Sequence, residues 1–297
     1  MDIIYRLATR GDIRRIKEIF NTQYVRKKND DYFIWQYFEC AWPTAVICAE
    51  VDGRVEGMFG LQRRELDGGI PIGQAIDLLI TPAMRGKGVF AEMGKRAISH
   101  FPELRILCVL PNLNGRNACV KSLGWSEVAK VDALILNVTQ QLPRDLPFHK
   151  LLLGITKHPV HFCWTAELRK WRYVHHPDYN YEIVNGNTGC FAVTKVFTDP
   201  ITNRRFGDIV DFQAPFDDPV LLFDVFSKSI TCLLDKGVEN ITTWALPSTL
   251  LYNILKAMEF KSVPQERYFC VKVLDQNLEH LYDISSWSLV EADAEIY

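Results

Sequence analysis

The strongest constraint on the fold is an internal repeat. A Trp-x-Tyr segment followed by a proline occurs twice, at residues 35–43 and 171–177. Each copy is followed by strand-like runs separated by turns, then by a helix, a strand, a helix and a last strand. Aspartates fall at similar places in the two copies, Asp77 in one and Asp211 in the other. A repeat of this length predicts two related domains rather than a solenoid of short units.

The order of elements in each copy is typical of an α/β layered domain with a mixed sheet. The chain has 297 residues, which is enough for two domains of ordinary size. We expect the first domain to span residues 1–140 and the second to span residues 148–297. Residues 139–147 contain two prolines and are interpreted as the linker. The C-terminal tail is expected to pack on a domain, because Leu278, Trp287 and other apolar residues need cover.

Composition limits the class of protein. Hydrophobic residues make up 48% of the chain and charged residues 24%, which is typical of a soluble globular protein. The formal net charge of -2 gives little support to nucleic-acid binding. No signal peptide and no membrane-spanning run is recognised, so a cytoplasmic location is expected. The eight cysteines show no CxxC spacing and are interpreted as buried free thiols in a reducing compartment.

The boundary between a strand and a helix at residues 75–93 carries the clearest functional signal. An apolar run, Ala75 to Ile80, leads into a turn containing Arg85, Gly86, Lys87 and Gly88, and an amphipathic helix starts near Val89. The turn glycines let consecutive backbone N–H groups face one side, and the helix adds the positive end of its dipole. This combination predicts an anion site suited to a pyrophosphate.

The Arg85-Gly-Lys-Gly-Val89 run resembles the acyl-CoA loop of the GNAT N-acetyltransferase superfamily, whose signature is Gln/Arg-x-x-Gly-x-Gly/Ala. The resemblance covers most of residues 3–138 and implies a tandem GNAT fold. Phe90 stands where the signature has glycine or alanine, and we expect its ring to turn into the core beside Met93 and Ala97. The equivalent turn of the second copy, 215–220, has no glycine and two carboxylates, so that copy is interpreted as degenerate.

Acetyl-CoA is the co-substrate that the resemblance implies. Backbone at the end of the strand would line its pantetheine arm, and an N–H near Leu79 would polarise the thioester carbonyl. Two asparagines before the next helix would contact the cofactor, or would instead cap that helix. The cofactor-binding residues implied in this way are Leu79, Ile80, Thr81, Arg85, Gly86, Lys87, Gly88, Val89, Phe90, Asn112 and Asn114.

Asp77 is the candidate general base. It lies in an apolar strand two positions before Leu79, and side chains two apart share one face of a strand. Desolvation there would raise its pKa, which suits a base. The alternative is a structural aspartate, which the matching Asp211 favours. Many GNAT members carry a tyrosine as general acid at the position of Val120, so here either the adjacent Cys119 or solvent would protonate the leaving thiolate.

The activity that the resemblance implies is transfer of an acetyl group from acetyl-CoA to a primary amine of a small molecule. The tandem layout looks like bacterial GNAT proteins found with surface-polysaccharide enzymes, which implies an amino-sugar acceptor. One alternative is a catalytically silent acyl-CoA-binding or assembly protein. Another is a transferase that uses aminoacyl-tRNA, which the acidic Asp217-Asp218 turn disfavours. The second domain would shape the acceptor pocket, dock on the first or form a homodimer. No metal site is predicted, because His158 and His161 flank a proline and lack a matching carboxylate.

Overall fold

The computed structural model describes residues 2–138, 143, 146–152, 155, 158–199 and 202–294. The predicted linker at 139–147 therefore lies mostly outside the described residues. The strands are β1 (Ile3–Leu7), β2 (Thr44–Val51), β3 (Arg54–Leu66), β4 (Ile70–Ile80), β5 (Ile106–Val109), β6 (Ser126–Lys130), β7 (Ala133–Asn137), β8 (Tyr181–Asn185), β9 (Phe191–Thr198), β10 (Arg205–Gln213), β11 (Asn240–Thr243), β12 (Lys261–Val263) and β13 (Tyr268–Val273). The helices are α1 (Ile13–Gln23), α2 (Asp30–Phe38), α3 (Val89–Ser99), α4 (Leu113–Leu123), α5 (Phe148–Leu151), α6 (Ala166–Arg169), α7 (Pro219–Asp235) and α8 (Leu250–Ala257).

Two compact units are formed, each from several stretches of chain. The first comprises Met1–Ala129, Cys163–Asp178 and Tyr268–Tyr282, and the second comprises Lys130–Phe162, Tyr179–Arg267 and Asp283–Tyr297. Each unit contains one mixed sheet, as predicted from the order of elements.

The sheet of the first unit has the strand order β1-β2-β3-β4-β5-β13-β6, with β4 and β5 parallel. Alternate residues of β2 belong to different cores: Val46 and Cys48 pack with α1 and α2, whereas Ile47 packs with α3 and α4. Helix α1 faces the sheet because Ile13, Ile16, Ile19 and Phe20 repeat at helical spacing. Burying each such side chain contributes about 1.5–3 kcal/mol.

The sheet of the second unit has the order β12-β7-β11-β10-β9-β8, with β10 and β11 parallel. Helices α7 and α8 pack on it through one large apolar cluster. The C-terminal tail packs as predicted over its described residues, since Leu278 lies buried in the first unit and Trp287 and Leu289 lie buried in the second.

The last strands of the two repeats are exchanged. Strand β7 ends the first repeat but pairs with β11 and β12 in the second sheet, while β13 ends the second repeat and pairs with β5 in the first sheet. The compact units therefore differ from the contiguous segments 1–140 and 148–297 expected from the sequence. The connection at Val131-Asp132 lacks the Asn-Gly type of turn that would favour a two-residue hairpin between β6 and β7.

The repeated tryptophans pack against each other within the first unit. The rings of Trp35 and Trp171 stack with centroids 4.3 Å apart at an interplanar angle of 10°. Each indole N–H donates to the main-chain carbonyl of the other residue, at 3.1 and 3.2 Å. Tyr37 and Tyr173 are also buried, so the two Trp-x-Tyr segments fill a core.

Candidate functional site

Strands β4 and β5 separate at the centre of the first sheet. Their parallel pairing runs from Ile72 with Ile106 to Gln74 with Cys108, and β4 continues beyond it to Ile80. The edge of β4 that faces away from β3 is therefore left without β5 alongside. An unpaired strand edge presents backbone donors and acceptors to whatever lies beside it.

The peptide groups at the end of β4 divide between two directions. Thr81 N–H donates to the carbonyl of Glu56 at 2.9 Å, on the β3 side. The carbonyl of Ile80 instead accepts from the side chain of Gln23 at 3.3 Å. Because successive peptide groups alternate across a strand, Leu79 N–H faces β3, and Ile80 N–H faces the open edge. Of the three peptide groups implied to line a pantetheine arm, that of Ile80 is the one turned toward the edge.

The loop after β4 leads into α3, whose N-terminus has no side-chain cap. Gly86 and Gly88 both have φ of 75°, a left-handed conformation that favours glycine. Gly88 is the N-cap of α3 and offers no side chain to the helix, so N–H groups of the first turn stay available. A Cβ atom added to either glycine would meet nothing within 4 Å, so the space around the loop is open.

The charges of this loop fit an anionic ligand. Arg85 and Lys87 are exposed, and neither forms an ion pair within the part of the chain that the structure describes. Lys87 also lines a groove of about 730 Å³ beside the loop. Two unpaired cations next to free helix N–H groups are what a pyrophosphate requires.

Phe90 does not crowd the loop. Its ring lies 5.5 Å from that of Phe59 and packs on the cluster containing Met93 and Ala97. This orientation is the one expected from the sequence. Although Phe90 departs from the signature, its side chain therefore does not block the N-terminus of α3.

The loop before α4 is used partly by the protein itself. Asn112 is the N-cap of α4, and its side-chain oxygen accepts from Gly115 N–H at 3.0 Å. Asn114 is exposed in the first turn. Cys119 is buried, and burial raises the pKa of its thiol, while Val120 packs partly on the same core. Val120 has no proton to donate, and the Cys119 thiol does not face solvent. Cys119 is a core residue, as expected.

The equivalent turn of the second unit is closed by a carboxylate. Asp218 is the N-cap of α7, and its side chain accepts from Val220 N–H and Leu221 N–H, both at 3.0 Å. A carboxylate therefore occupies the helix end that is open at Gly88 in the first unit. That the second unit has no cofactor loop stays a prediction.

Asp77 lies in a β-bulge of β4 and contacts α2. Met58 pairs with Leu79 and Gly60 with Ile76, so two residues of β4 face one residue of β3. Tyr37 donates from its hydroxyl to Asp77 Oδ2 at 2.7 Å. Burial raises the pKa of Asp77, while the Tyr37 hydrogen bond and the charge of Lys28 act in the opposite direction.

Sequence reasoning missed Tyr37 as a partner of Asp77. The signal was present in the repeat, because both the Trp-x-Tyr segment and the aspartate occur in each copy. What the pattern lacked was the bulge, which sets the side chain of Asp77 on the α2 face of the sheet beside that of Ile76.

Two further searches concern other kinds of site. Among the described residues, no group of three or more His, Cys, Asp or Glu side chains is arranged to hold a metal ion. Across those same residues, no helix has the length and apolar character needed to cross a membrane.

Comparison with solved structures identifies the fold. A GCN5-related N-acetyltransferase from Anabaena variabilis matches with a TM-score of 0.64 and 12% identity, over 92% of this chain and 73% of that one. One from Kribbella flavida gives a TM-score of 0.59 and 9% identity, over 92% and 71%. The glucosamine N-acetyltransferase region of a fungal multi-domain GH3 β-N-acetylglucosaminidase gives 0.58 and 14%, over 91% of this chain and 38% of that protein.

The chain therefore has the fold of the GNAT N-acetyltransferases, in a two-domain form with two mixed sheets. At these identities the likeness establishes the fold alone. No protein-family model matches the sequence, and no curated protein matches it.

Proposed function

We propose that this chain is an acyl-CoA-dependent N-acyltransferase that moves an acetyl group from acetyl-CoA to a primary amine of a small molecule. One observation carries the proposal. A short loop joins the end of β4, which has no β5 residue beside it, to the open N-terminus of α3 at Gly88. The helix end offers a site for a pyrophosphate, and the strand edge offers backbone groups to an extended arm. A nucleotide that carries such an arm would fit both.

The residues divide into three roles. Arg85, Lys87 and the first N–H groups of α3 hold the pyrophosphate, and Ile80 N–H lies where a thioester carbonyl can be polarised. Asp77 takes a proton from the attacking amine, which must be neutral to react. Acetyl-CoA supplies an acetyl carbon that bonds to the amine nitrogen as its C–S bond breaks, and the departing sulfur takes a proton from solvent.

An amino sugar is the acceptor we propose. The fungal region that matches this fold is a glucosamine N-acetyltransferase region. The tandem layout of this chain also resembles GNAT proteins found with surface-polysaccharide enzymes. Because a fold does not fix its substrate, the acceptor needs a direct test.

A catalytically silent acyl-CoA-binding protein is the second candidate. It is favoured by one observation: α4 provides no exposed acid, since Val120 packs on the core and Cys119 is buried. Solvent would have to protonate the leaving thiolate in an active enzyme. The two candidates predict the same cofactor binding and different turnover.

A panel of amines separates these candidates. We expect acetyl-CoA with glucosamine or galactosamine to give a product heavier by one acetyl group, at least about tenfold faster than a simple alkylamine of equal concentration. A tenfold difference corresponds to about 1.4 kcal/mol of discrimination, within the reach of a few oriented hydrogen bonds. Product masses are measured by liquid chromatography and mass spectrometry. Cofactor binding with no acetylated product from any amine would favour the silent protein.

A further inference from the structure

The backbone at Asp77 is unusual for a buried strand. Five non-glycine residues among those described have a left-handed φ: Asp52, Asp77, Thr188, Asn203 and Glu259. The other four are exposed, whereas Asp77 is buried inside β4 with φ of 44°. A strained conformation inside a sheet persists only where the surroundings hold it, and such residues concentrate at functional sites.

The two carboxylate oxygens of Asp77 have different surroundings. Oδ2 accepts the Tyr37 hydroxyl at 2.7 Å. Oδ1 has no hydrogen-bond partner within the described residues, and 9% of the Asp77 surface is still exposed. One oxygen is therefore fixed by the protein, and the other is left for a ligand. Tyr37 stays a donor, because burial, followed by the charge of Asp77, raises the pKa of its phenol well above the usual value.

Lys28 is a nearly buried cation of the same unit. It lies in the loop between α1 and α2, where Nζ is 2.6 Å from Asp178 Oδ2 and 3.9 Å from the centre of the Tyr32 ring. Its side chain is nearly buried, so its charge is poorly screened by water. Burial lowers the pKa of Lys28, and the hydrogen bond to Asp178 opposes that effect.

Several other groups act on the pKa values of Tyr37 and Lys28. Besides Tyr37 and Lys28, the titratable and charged groups that influence them are Asp178, Arg26, Tyr32 and Cys48. The Cys48 thiol is buried, which raises its pKa to about 12, so it stays neutral. The charge of Lys28 favours the ionised form of Asp77 and so lowers its pKa, against the larger effect of burial.

We propose that Tyr37 is a positioning residue for Asp77. Tyr37 holds Oδ2 so that Oδ1 is left for the acceptor, and its hydrogen bond favours the charged, proton-accepting form of the carboxylate. The inference rests on the proposed function for its purpose, since a base must be ionised before it can take the proton of the amine. The effect on the pKa of Asp77 can be measured without acetyl-CoA or acceptor.

The test is a titration of Asp77 by carboxyl-carbon NMR in aspartate-labelled protein, with its signal identified by its absence in Asp77→Asn. In Tyr37→Phe we expect the midpoint to move to higher pH by roughly one unit, because the variant removes a hydrogen bond that favours the charged form. Tyr173→Phe, at the same place in the second Trp-x-Tyr segment, is the matched control and should leave the midpoint unchanged.

An unchanged midpoint in Tyr37→Phe would overturn the proposal. A variant that fails to fold is recognised by loss of the dispersed spectrum, and the wild-type protein then decides the outcome: the hydroxyl-bearing carbon of labelled Tyr37 should shift with the Asp77 titration, and a Tyr37 signal that does not respond to it would overturn the proposal. Once an amine that is acetylated has been found, the acidic limb of the pH–rate profile should shift in each variant together with the NMR midpoint of Asp77. Absence of any acetylation would count against the proposed function, while the titration would still decide the role of Tyr37.

Discussion

Replacing Gly88 by aspartate should abolish acetyl-CoA binding, with a rise in Kd of at least about 100-fold. The new carboxylate would stand at the open end of α3, beside Arg85 and Lys87, where the pyrophosphate is expected. At about 4 Å and an effective dielectric constant of 20, two like charges repel by about 4 kcal/mol. A 100-fold change in Kd requires roughly 2.7 kcal/mol, which is about two-thirds of that repulsion. Binding is measured by isothermal titration calorimetry.

The neutral variant Gly88→Asn is the matched control. Asparagine has the same size as aspartate, and both residues tolerate a left-handed backbone better than most. The two variants therefore share any strain from the φ of 75° and differ only in charge. We expect Gly88→Asn to lose far less affinity. Equal losses in the two variants would show that bulk or backbone strain, rather than an anion site, explains the effect.

Replacing Asp77 by asparagine should reduce kcat by about 10²- to 10⁴-fold, the usual contribution of a general base. Asparagine can keep the hydrogen bond from Tyr37 but cannot take a proton at neutral pH. The Kd for acetyl-CoA should stay within about twofold, because the loop at Arg85–Phe90 is unchanged. The rates are measured with the amine that the panel identifies, and the affinities by calorimetry.

Asp211→Asn provides a control from the second repeat. Asp211 is buried at a register shift of β10, and its Oδ1 accepts from Phe212 N–H at 2.8 Å. The same chemical change is made there in a unit whose helix end is closed by Asp218. We expect this variant to keep the wild-type rate within about twofold. If both variants keep the wild-type rate, Asp77 is a structural aspartate and solvent removes the proton.

The pH dependence follows from the same residue. Because the pKa of Asp77 is raised by burial, its base form is lost on acidification at a higher pH than for an exposed aspartate, whose pKa is about 3.9. The acidic limb of the rate profile should therefore lie above that value and disappear in Asp77→Asn.

Local patterns predicted much of the fold. The periodicity of β2 to β4 and of α3, the turn glycines and the repeat all express preferences that short segments carry by themselves. The inward turn of Phe90 also followed from the spacing of Val89, Met93 and Ala97 on one helix face. These features depend on neighbours a few residues away, so a single sequence contains the necessary information.

Long-range pairing was not predictable in the same way. The endings of the two repeats have similar patterns, so nothing local distinguishes β7 from β13 as the neighbour of β5. The bulge at Asp77 likewise depends on how many residues β3 places opposite β4. Tyr37 meets Asp77 across 40 positions of the chain, through the packing of α2 on the sheet.

The central claim is that the first unit alone holds acetyl-CoA, at the loop after β4. The most direct test is calorimetric titration of the wild-type chain with acetyl-CoA. We expect one molecule to bind per chain, with binding lost in Gly88→Asp and retained in Asp77→Asn. Two molecules per chain, or binding that survives in Gly88→Asp, would place the cofactor elsewhere and rule out this loop as the single site.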